Sequence, residues 1–324
     1  MKRSPVRLIA APYTPFTRNR ELNLSVIDEQ AELFATNELS GAFVCGTTGE
    51  SMSMTIAERC QVVERWIKAA AGRFQIFVHV GHTCQRDCIE MAEHAVAHGA
   101  AAIAAMGPCF AKPADAEMLA DFCAPIAAAA ADLPFYYYHI PVMTGVSMPM
   151  AHFMKVAGRQ IPNLVGLKYS HDDLVDLAAC VSLDDGRFEV LFGKDEILLA
   201  ALSLGVRGAV GSTYNFMTPL YQRVIHAFDA GDMTLARREQ MRAVELVRAL
   251  LRFGPSFMAA GKAVMSRLGI DCGPVRSPYR PLTAEQLSQL DEQLTRLGFD
   301  DYCSRTTSTP PRSVARPTRS VSAN

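Results

Sequence analysis

The feature that most constrains this chain is an alternation of two kinds of segment. Short runs that are apolar on both faces are separated by longer stretches with helical periodicity. The runs are "VRLIAAPYTPF", "GAFVCGTTGE", "RFQIFVHVGHT", "AAIAAMGPCF", "PFYYYHIPVMTG", "LVGLKYS", "EVLFGKDE" and "GVRGAVGSTYN". Between them lie amphipathic segments such as Ser25–Asn37, Ile56–Ala71 and Cys84–His98. A strand without a polar face must be covered on both sides, and a helix after each strand supplies that cover, so the pattern predicts parallel strands joined by right-handed crossovers. Eight such units in about 215 residues predict an α/β fold, a (β/α)8 barrel. A doubly wound sheet would carry fewer strands and a glycine-rich phosphate turn after the first, and "AAPYTPF" is not such a turn.

The strand pattern stops at Thr218. Residues 1–217 are therefore expected to form the barrel core, and residues 218–302 a helical extension packed on it. The expected helices are Pro219–Ala230, Thr234–Phe253, Phe257–Leu268 and Ala284–Leu297, the last opened by a capping box in "TAEQ". After Tyr302 the chain reads "CSRTTSTPPRSVARPTRSVSAN", rich in Ser, Thr, Pro and Arg without an acidic residue. Such a composition cannot bury enough apolar surface to offset ordering, so 303–324 is expected to be a disordered tail.

Composition narrows the partners. A formal net charge of -1 gives no electrostatic basis for binding nucleic acid or an anionic membrane. No window of about 18 apolar residues is present, so no membrane-spanning helix is expected. The first apolar run is broken by Pro12 and Pro15 and is too short for a signal-peptide core, which makes the cytoplasm the expected location. Nine cysteines, odd in number and scattered, with Cys84 and Cys88 at helical spacing, read as reduced thiols. They fit neither a disulfide framework nor a zinc site.

Chemistry gathers where strands end, because the C-terminal ends of barrel strands converge on one mouth. The run "LVGLKYS" ends on Lys168, although a buried ammonium is costly and only seven of the 32 basic residues are lysines. A desolvated lysine amine can attack a ketone to form an imine, an electron sink for breaking the neighbouring C–C bond. An ion pair with Asp195 or Glu196 is the structural alternative. Strand alternation sends Tyr136 and Tyr138 to one face and Tyr137 to the other, leaving Tyr138 as either a proton shuttle or core filling. In "CGTTGE", Thr47 and Thr48 on a glycine-flanked turn suit a carboxylate, or alternatively cap the next helix. Further strand ends bring Ser170, Gly193, Asp195, Glu196, Ser212 and Thr213. His79, His82 and His139 read as structural histidines with satisfied rings, His139 pointing away from Tyr138.

With these motifs in order, "GTTGE", "YYYHIP", "GLK", "GKDE" and "GAVGSTYN", the chain resembles the pyruvate-dependent aldolase superfamily that contains dihydrodipicolinate synthase and N-acetylneuraminate lyase. The resemblance runs from about Arg7 to Gly298 and is similar to the lyase branch. Met143 stands where the synthase branch places a carboxylate-binding arginine, and a thioether cannot form that bidentate pair. Phe110 stands where the synthases insert a neighbouring subunit's tyrosine. The resemblance implies a class I lyase acting on a sugar acid and pyruvate, with Lys168 as Schiff-base lysine and Tyr138 as proton carrier; the alternatives are an aldolase for another 2-keto acid, a 2-keto-3-deoxy sugar acid aldolase or a dihydrodipicolinate synthase, and a barrel kept as a non-catalytic ligand-binding protein. It assigns the pyruvate carboxylate to Thr47 and Thr48, and the sugar hydroxyls to Ser170, Gly193, Asp195, Glu196 and Ser212. It implies no metal or organic cofactor, since the imine is itself the electron sink, and it implies a homo-oligomer, typically a tetramer. Lys194 departs from the lyase pattern, and alternation places it opposite Gly193 and Asp195, toward solvent.

Overall fold

Eight parallel strands close on themselves in sequence order: β1 (Arg7–Ala10), β2 (Gly41–Val44), β3 (Gln75–His79), β4 (Ala102–Met106), β5 (Phe135–His139), β6 (Leu164–Tyr169), β7 (Glu189–Phe192) and β8 (Gly208–Gly211). The computed structural model describes residues 4–254 and 257–306. The (β/α)8 barrel expected from the alternation is the fold.

The helices outside the strands are α1 (Val26–Thr36), α2 (Ile56–Ala70), α3 (Gln85–Ala97), α4 (Ala116–Ala128), the single turn α5 (Pro141–Thr144), α6 (Met150–Gln160), α7 (Leu174–Ser182), α8 (Leu198–Ser203) and α9 (Tyr214–Asp229). Three more follow: α10 (Met233–Leu251), α11 (Met258–Arg267) and α12 (Ala284–Arg296). Local chemistry sets many of their starts. Thr55 and Glu58 form a reciprocal capping box at α2, and Thr283 and Gln286 do the same at α12, as expected from "TAEQ".

Strand alternation divides the core into two layers. Phe43, Phe77, Met106, Tyr136, Tyr138, Leu191 and Val210 fill the barrel lumen. Their neighbours on the same strands, such as Val44, Val78, Tyr137 and Phe192, face the helices and pack with Trp66, Phe153 and Tyr221. At the N-terminal end of the barrel, Arg7 forms an ion pair with Glu189, which also accepts a hydrogen bond of 2.7 Å from the Tyr136 hydroxyl. This polar layer closes the end opposite the mouth.

Two boundaries differ from the sequence expectation. The division at 217/218 falls inside α9, which is the barrel's own eighth helix. Pro219 reads as a helix start because the helix kinks at Met217 (φ -132°) just ahead of it, yet the segment continues on both sides. The chain past Tyr302 is also packed at first: the Ser304 N–H donates to the Phe216 carbonyl at 2.7 Å and the Arg305 N–H to Asn37 Oδ1 at 2.8 Å. Ser304 is buried, so low hydrophobicity did not prevent docking through the backbone. Residues 307–324, the rest of the expected tail, lie outside the described residues. No helix among the described residues is long and apolar enough to cross a membrane, and Cys45, Cys88, Cys123, Cys180 and Cys272 are buried free thiols.

Candidate active site

All nine residues singled out from the strand ends, Thr47, Thr48, Tyr138, Lys168, Ser170, Gly193, Asp195, Glu196 and Ser212, line one cavity of about 230 Å³ at the barrel mouth. They come from the ends of β2, β5, β6, β7 and β8. Only the closed register brings them together, because parallel strands of similar length end at one level.

Lys168 stands at the centre. In the parallel pairing of β5 and β6, Tyr138 lies directly opposite Lys168. The lysine is 4% exposed, and its Nζ sits 4.0 Å from the centre of the Tyr138 ring and 4.1 Å from that of Phe43. Among the described residues Lys168 forms no ion pair, so the structural alternative of a salt bridge to Asp195 or Glu196 is not what holds it. Two aromatic faces and a cavity surround the amine. That is a setting for a nucleophile rather than for a structural clamp.

The threonine pair is turned into the same cavity. Thr47 Oγ1 lies 3.1 Å from the Tyr138 hydroxyl, and Thr48 Oγ1 lies 2.7 Å from Ser212 Oγ. Neither threonine caps a helix, since Thr55 caps α2. The first link gives the Tyr138 phenol a partner through which a proton can move. The second ties the β2 turn to the β8 turn.

The turn after β7 carries three polar residues into the mouth. Asp195 is buried and accepts hydrogen bonds from the Thr213 N–H (2.9 Å) and hydroxyl (2.6 Å). Burial pushes its carboxyl up to about 6, although the Thr213 hydrogen bonds oppose the shift. Gly193 is required by close approach: a Cβ there would collide with the Ser170 hydroxyl. The expectation for Lys194 is corrected. It lines the cavity and pairs with Glu196 at 3.1 Å. The strand ends at Phe192, so strict alternation does not extend to Lys194, and the one-turn helix at Asp195–Ile197 swings both charged residues to the rim.

The histidine expectations divide. His139 faces outward as foreseen, packed on Tyr137, Tyr169 and His171, but its buried Nδ1 has no partner among the described residues, so its ring is not the satisfied one expected. His79 instead points into the lumen, its ring edge-on to Tyr138 at 5.4 Å. Its Nδ1 bonds to the Cys45 carbonyl at 2.8 Å, but its buried Nε2 has no partner, so the ring is only half satisfied. Burial holds it well below the usual imidazole range, and it is neutral.

Several contributors lie beyond the sequence reading. Phe43 is legible in principle from alternation along β2. Thr213, which holds Asp195, stands out in the sequence only as part of a strand end. Glu50, the last residue of "GTTGE", is fully buried against Lys262 of α11 at 2.7 Å and fixes the turn that carries the threonines. Phe257 and Met258, from the start of α11, close one side of the cavity. No local signal connects residues so far apart.

A (β/α)8 barrel whose mouth is built around a buried lysine, with a tyrosine phenol on the adjacent strand, is the framework of a class I aldolase. Proteins of similar sequence and structure agree with that class. The dihydrodipicolinate synthetase family matches residues 4–297, and the chain belongs to it. The N-acetylneuraminate lyase of Rattus norvegicus is 38% identical over 296 residues, covering 90% of this chain and 92% of that protein. Among solved structures, the Aliivibrio salmonicida N-acetylneuraminate lyase superposes with a TM-score of 0.88 at 40% identity, covering 92% of this chain and 98% of that one. The Proteus mirabilis lyase does so with a TM-score of 0.88 at 38% identity, covering 91% and 99%. The chain is an enzyme of the carbon–carbon lyase kind.

Proposed function

We propose that this enzyme cleaves N-acetylneuraminate to N-acetylmannosamine and pyruvate through a Schiff base on Lys168. The observation that carries the reading is Lys168 itself: a buried amine, outside any ion pair among the described residues, beside the Tyr138–Thr47 pair. The names borne by similar proteins supply the substrate. The Lys168 amine adds to the C2 ketone of the open-chain sugar, and loss of water gives the imine. Tyr138 then takes the proton of the C4 hydroxyl while the C3–C4 bond breaks and its electrons enter the imine as an enamine. N-acetylmannosamine leaves, C3 takes up a proton, and water releases pyruvate.

Thr47 and Thr48 are the proposed holders of the pyruvate carboxylate. Ser170, the Gly193 backbone, Glu196 and Ser212 are the proposed sugar contacts. Asp195 has one carboxylate oxygen engaged by Thr213, which leaves the other for a substrate hydroxyl. The same reading places the enzyme in the cytoplasm as a homo-oligomer, a tetramer as in its superfamily. The buried free thiols of Cys45, Cys88, Cys123, Cys180 and Cys272 suit a reducing compartment.

Borohydride reduction in the presence of pyruvate is expected to add a three-carbon group to Lys168, located by peptide mass spectrometry. A Lys168→Met variant is expected to lose both the adduct and cleavage. An adduct on another lysine would overturn the mechanism. Pyruvate release from N-acetylneuraminate no faster than from 2-keto-3-deoxy sugar acids would overturn the substrate.

A further inference from the structure

Away from the mouth, the C-terminal end of α3 brings together two histidines four residues apart, His94 in its last turn and His98 just past it as the C-cap, against Glu64 of α2. The His94 and His98 rings are stacked, with centres 4.0 Å apart and planes 28° from parallel. Both present Nε2 to one carboxylate oxygen: Glu64 Oε1 lies 3.0 Å from His94 Nε2 and 3.8 Å from His98 Nε2. One ligand atom from each residue falls within 4.8 Å of the other two. Around a tetrahedral zinc ion with bonds near 2.0–2.2 Å, ligand atoms stand about 3.3 Å apart, so small side-chain rotations complete the geometry.

A second observation concerns protons. His98 Nδ1 lies 2.8 Å from the His94 backbone carbonyl. A carbonyl can only accept, so Nδ1 carries the hydrogen and the neutral ring keeps its lone pair on Nε2, toward Glu64. A backbone carbonyl holding the far nitrogen in this way orients and polarises a metal-ligating histidine. The lone pair and the carboxylate oxygen repel each other across 3.8 Å unless a proton or a cation lies between them.

We propose that Glu64, His94 and His98 form a binding site for a borderline divalent cation of the zinc class. Two imidazoles and one carboxylate favour Zn2+, Ni2+ or Cu2+ over the hard cations Mg2+ and Ca2+. On binding, the Nε2 proton that His94 shares with Glu64 moves to Nδ1 or leaves to solvent, and water completes the coordination. The side chains are 18%, 39% and 50% exposed for His94, His98 and Glu64, so the ion can enter without unfolding. The site joins α2 to α3 near the end of α3 that leads into β4. That is the barrel face opposite the mouth, where fixed contacts serve stability rather than chemistry. The cation is a clip between neighbouring helices and takes no part in the lyase reaction.

Calorimetric titration of the full-length, tag-free enzyme with ZnCl2 tests this, with thermal unfolding followed in parallel. One equivalent is expected to bind, with a midpoint that climbs as Zn2+ is raised. His98→Ala is expected to weaken binding by about ten-fold or more, while His82→Ala, at another surface histidine, leaves it unchanged. Lyase activity is expected to be the same with and without the ion. Undiminished binding in the His94→Ala/His98→Ala double variant, or no binding by the wild-type enzyme, would overturn the proposal. Circular dichroism of the variants separates loss of the site from loss of fold.

Discussion

Replacing Lys262 by Met tests how the threonine turn is held in place. Lys262 of α11 lies 2.7 Å from Glu50, and the two side chains are 3% and 0% exposed. The ammonium also donates to the Pro274 carbonyl at 3.0 Å and sits 4.4 Å from the centre of the Phe16 ring. Glu50 Oε2 accepts from the Arg276 N–H at 2.7 Å, so the carboxylate bridges the turn after β2 to the segment after α11. Burial pulls the Lys262 ammonium below its usual range, and the neighbouring Glu50 carboxylate only partly restores it. Lys262→Met leaves a fully buried carboxylate with the Arg276 amide as its remaining donor among the described residues. Losing one partner of a buried pair costs about 3–5 kcal/mol. In a chain of this size that corresponds to a fall in Tm on the order of 10 °C. Glu50→Gln should cost less, because Lys262 keeps the Pro274 carbonyl and the Phe16 face. In the Glu50→Gln/Lys262→Met double variant no buried charge is left, and the total loss should be smaller than the sum of the single losses by about 2 kcal/mol. Urea unfolding of the four proteins measures this directly. Single losses under about 1 kcal/mol, or strict additivity, would refute the pair as the element that fixes the turn. The turn also carries Thr47 and Thr48, so Lys262→Met is expected to raise KM for the keto acid before it lowers kcat.

Two further outcomes arise from close packing and from burial. A Cβ on Gly211 would fall onto the Asp195 carboxylate, which Thr213 holds in place, so Gly211→Ala is expected to cost about 1–3 kcal/mol and to weaken sugar binding. A variant with wild-type stability and KM would show that Asp195 is free to move. Burial pulls the His139 imidazole down from 6.5 to about 4, so the unfolded chain takes up a proton there before the folded one does. Stability is then lost as pH falls from about 6.5 to about 4, by roughly 3 kcal/mol from this group. His139→Phe is expected to flatten that part of the profile, and an unchanged slope in urea melts across this range would contradict the assignment.

Much of the molecule is legible in the sequence because its signals are local and periodic. Apolar runs without a polar face cannot be edge strands, and eight of them separated by helical stretches leave few architectures besides a closed barrel. Placing strand ends on one rim then gathers the lysine, the tyrosine, the threonine pair and the β7 turn, and all of them line the cavity. Legibility fails where periodicity stops. An outward Lys194 comes from extending strand alternation two residues past the last strand residue, into a turn that obeys a different geometry. The 217/218 boundary comes from reading Pro219 as a start signal, when the proline sits just past a kink inside a continuing helix. Satisfied rings at His79 and His139 are misreadings because residue type says nothing about which ring nitrogen finds a partner.

The sequence by itself determined the order of strands and helices, the barrel, and the identity of the side chains that reach its mouth, since each derives from periods of two and 3.6 residues and from strand polarity. Only the tertiary structure decided what those side chains do to one another. It put the Tyr138 ring against the Lys168 amine, and it tied Asp195 to Thr213. It also buried Glu50 against Lys262, a residue of a distant helix. Burial and pairing depend on groups that periodicity cannot relate, because chain closure, not sequence neighbourhood, sets which residues share a few ångströms of space.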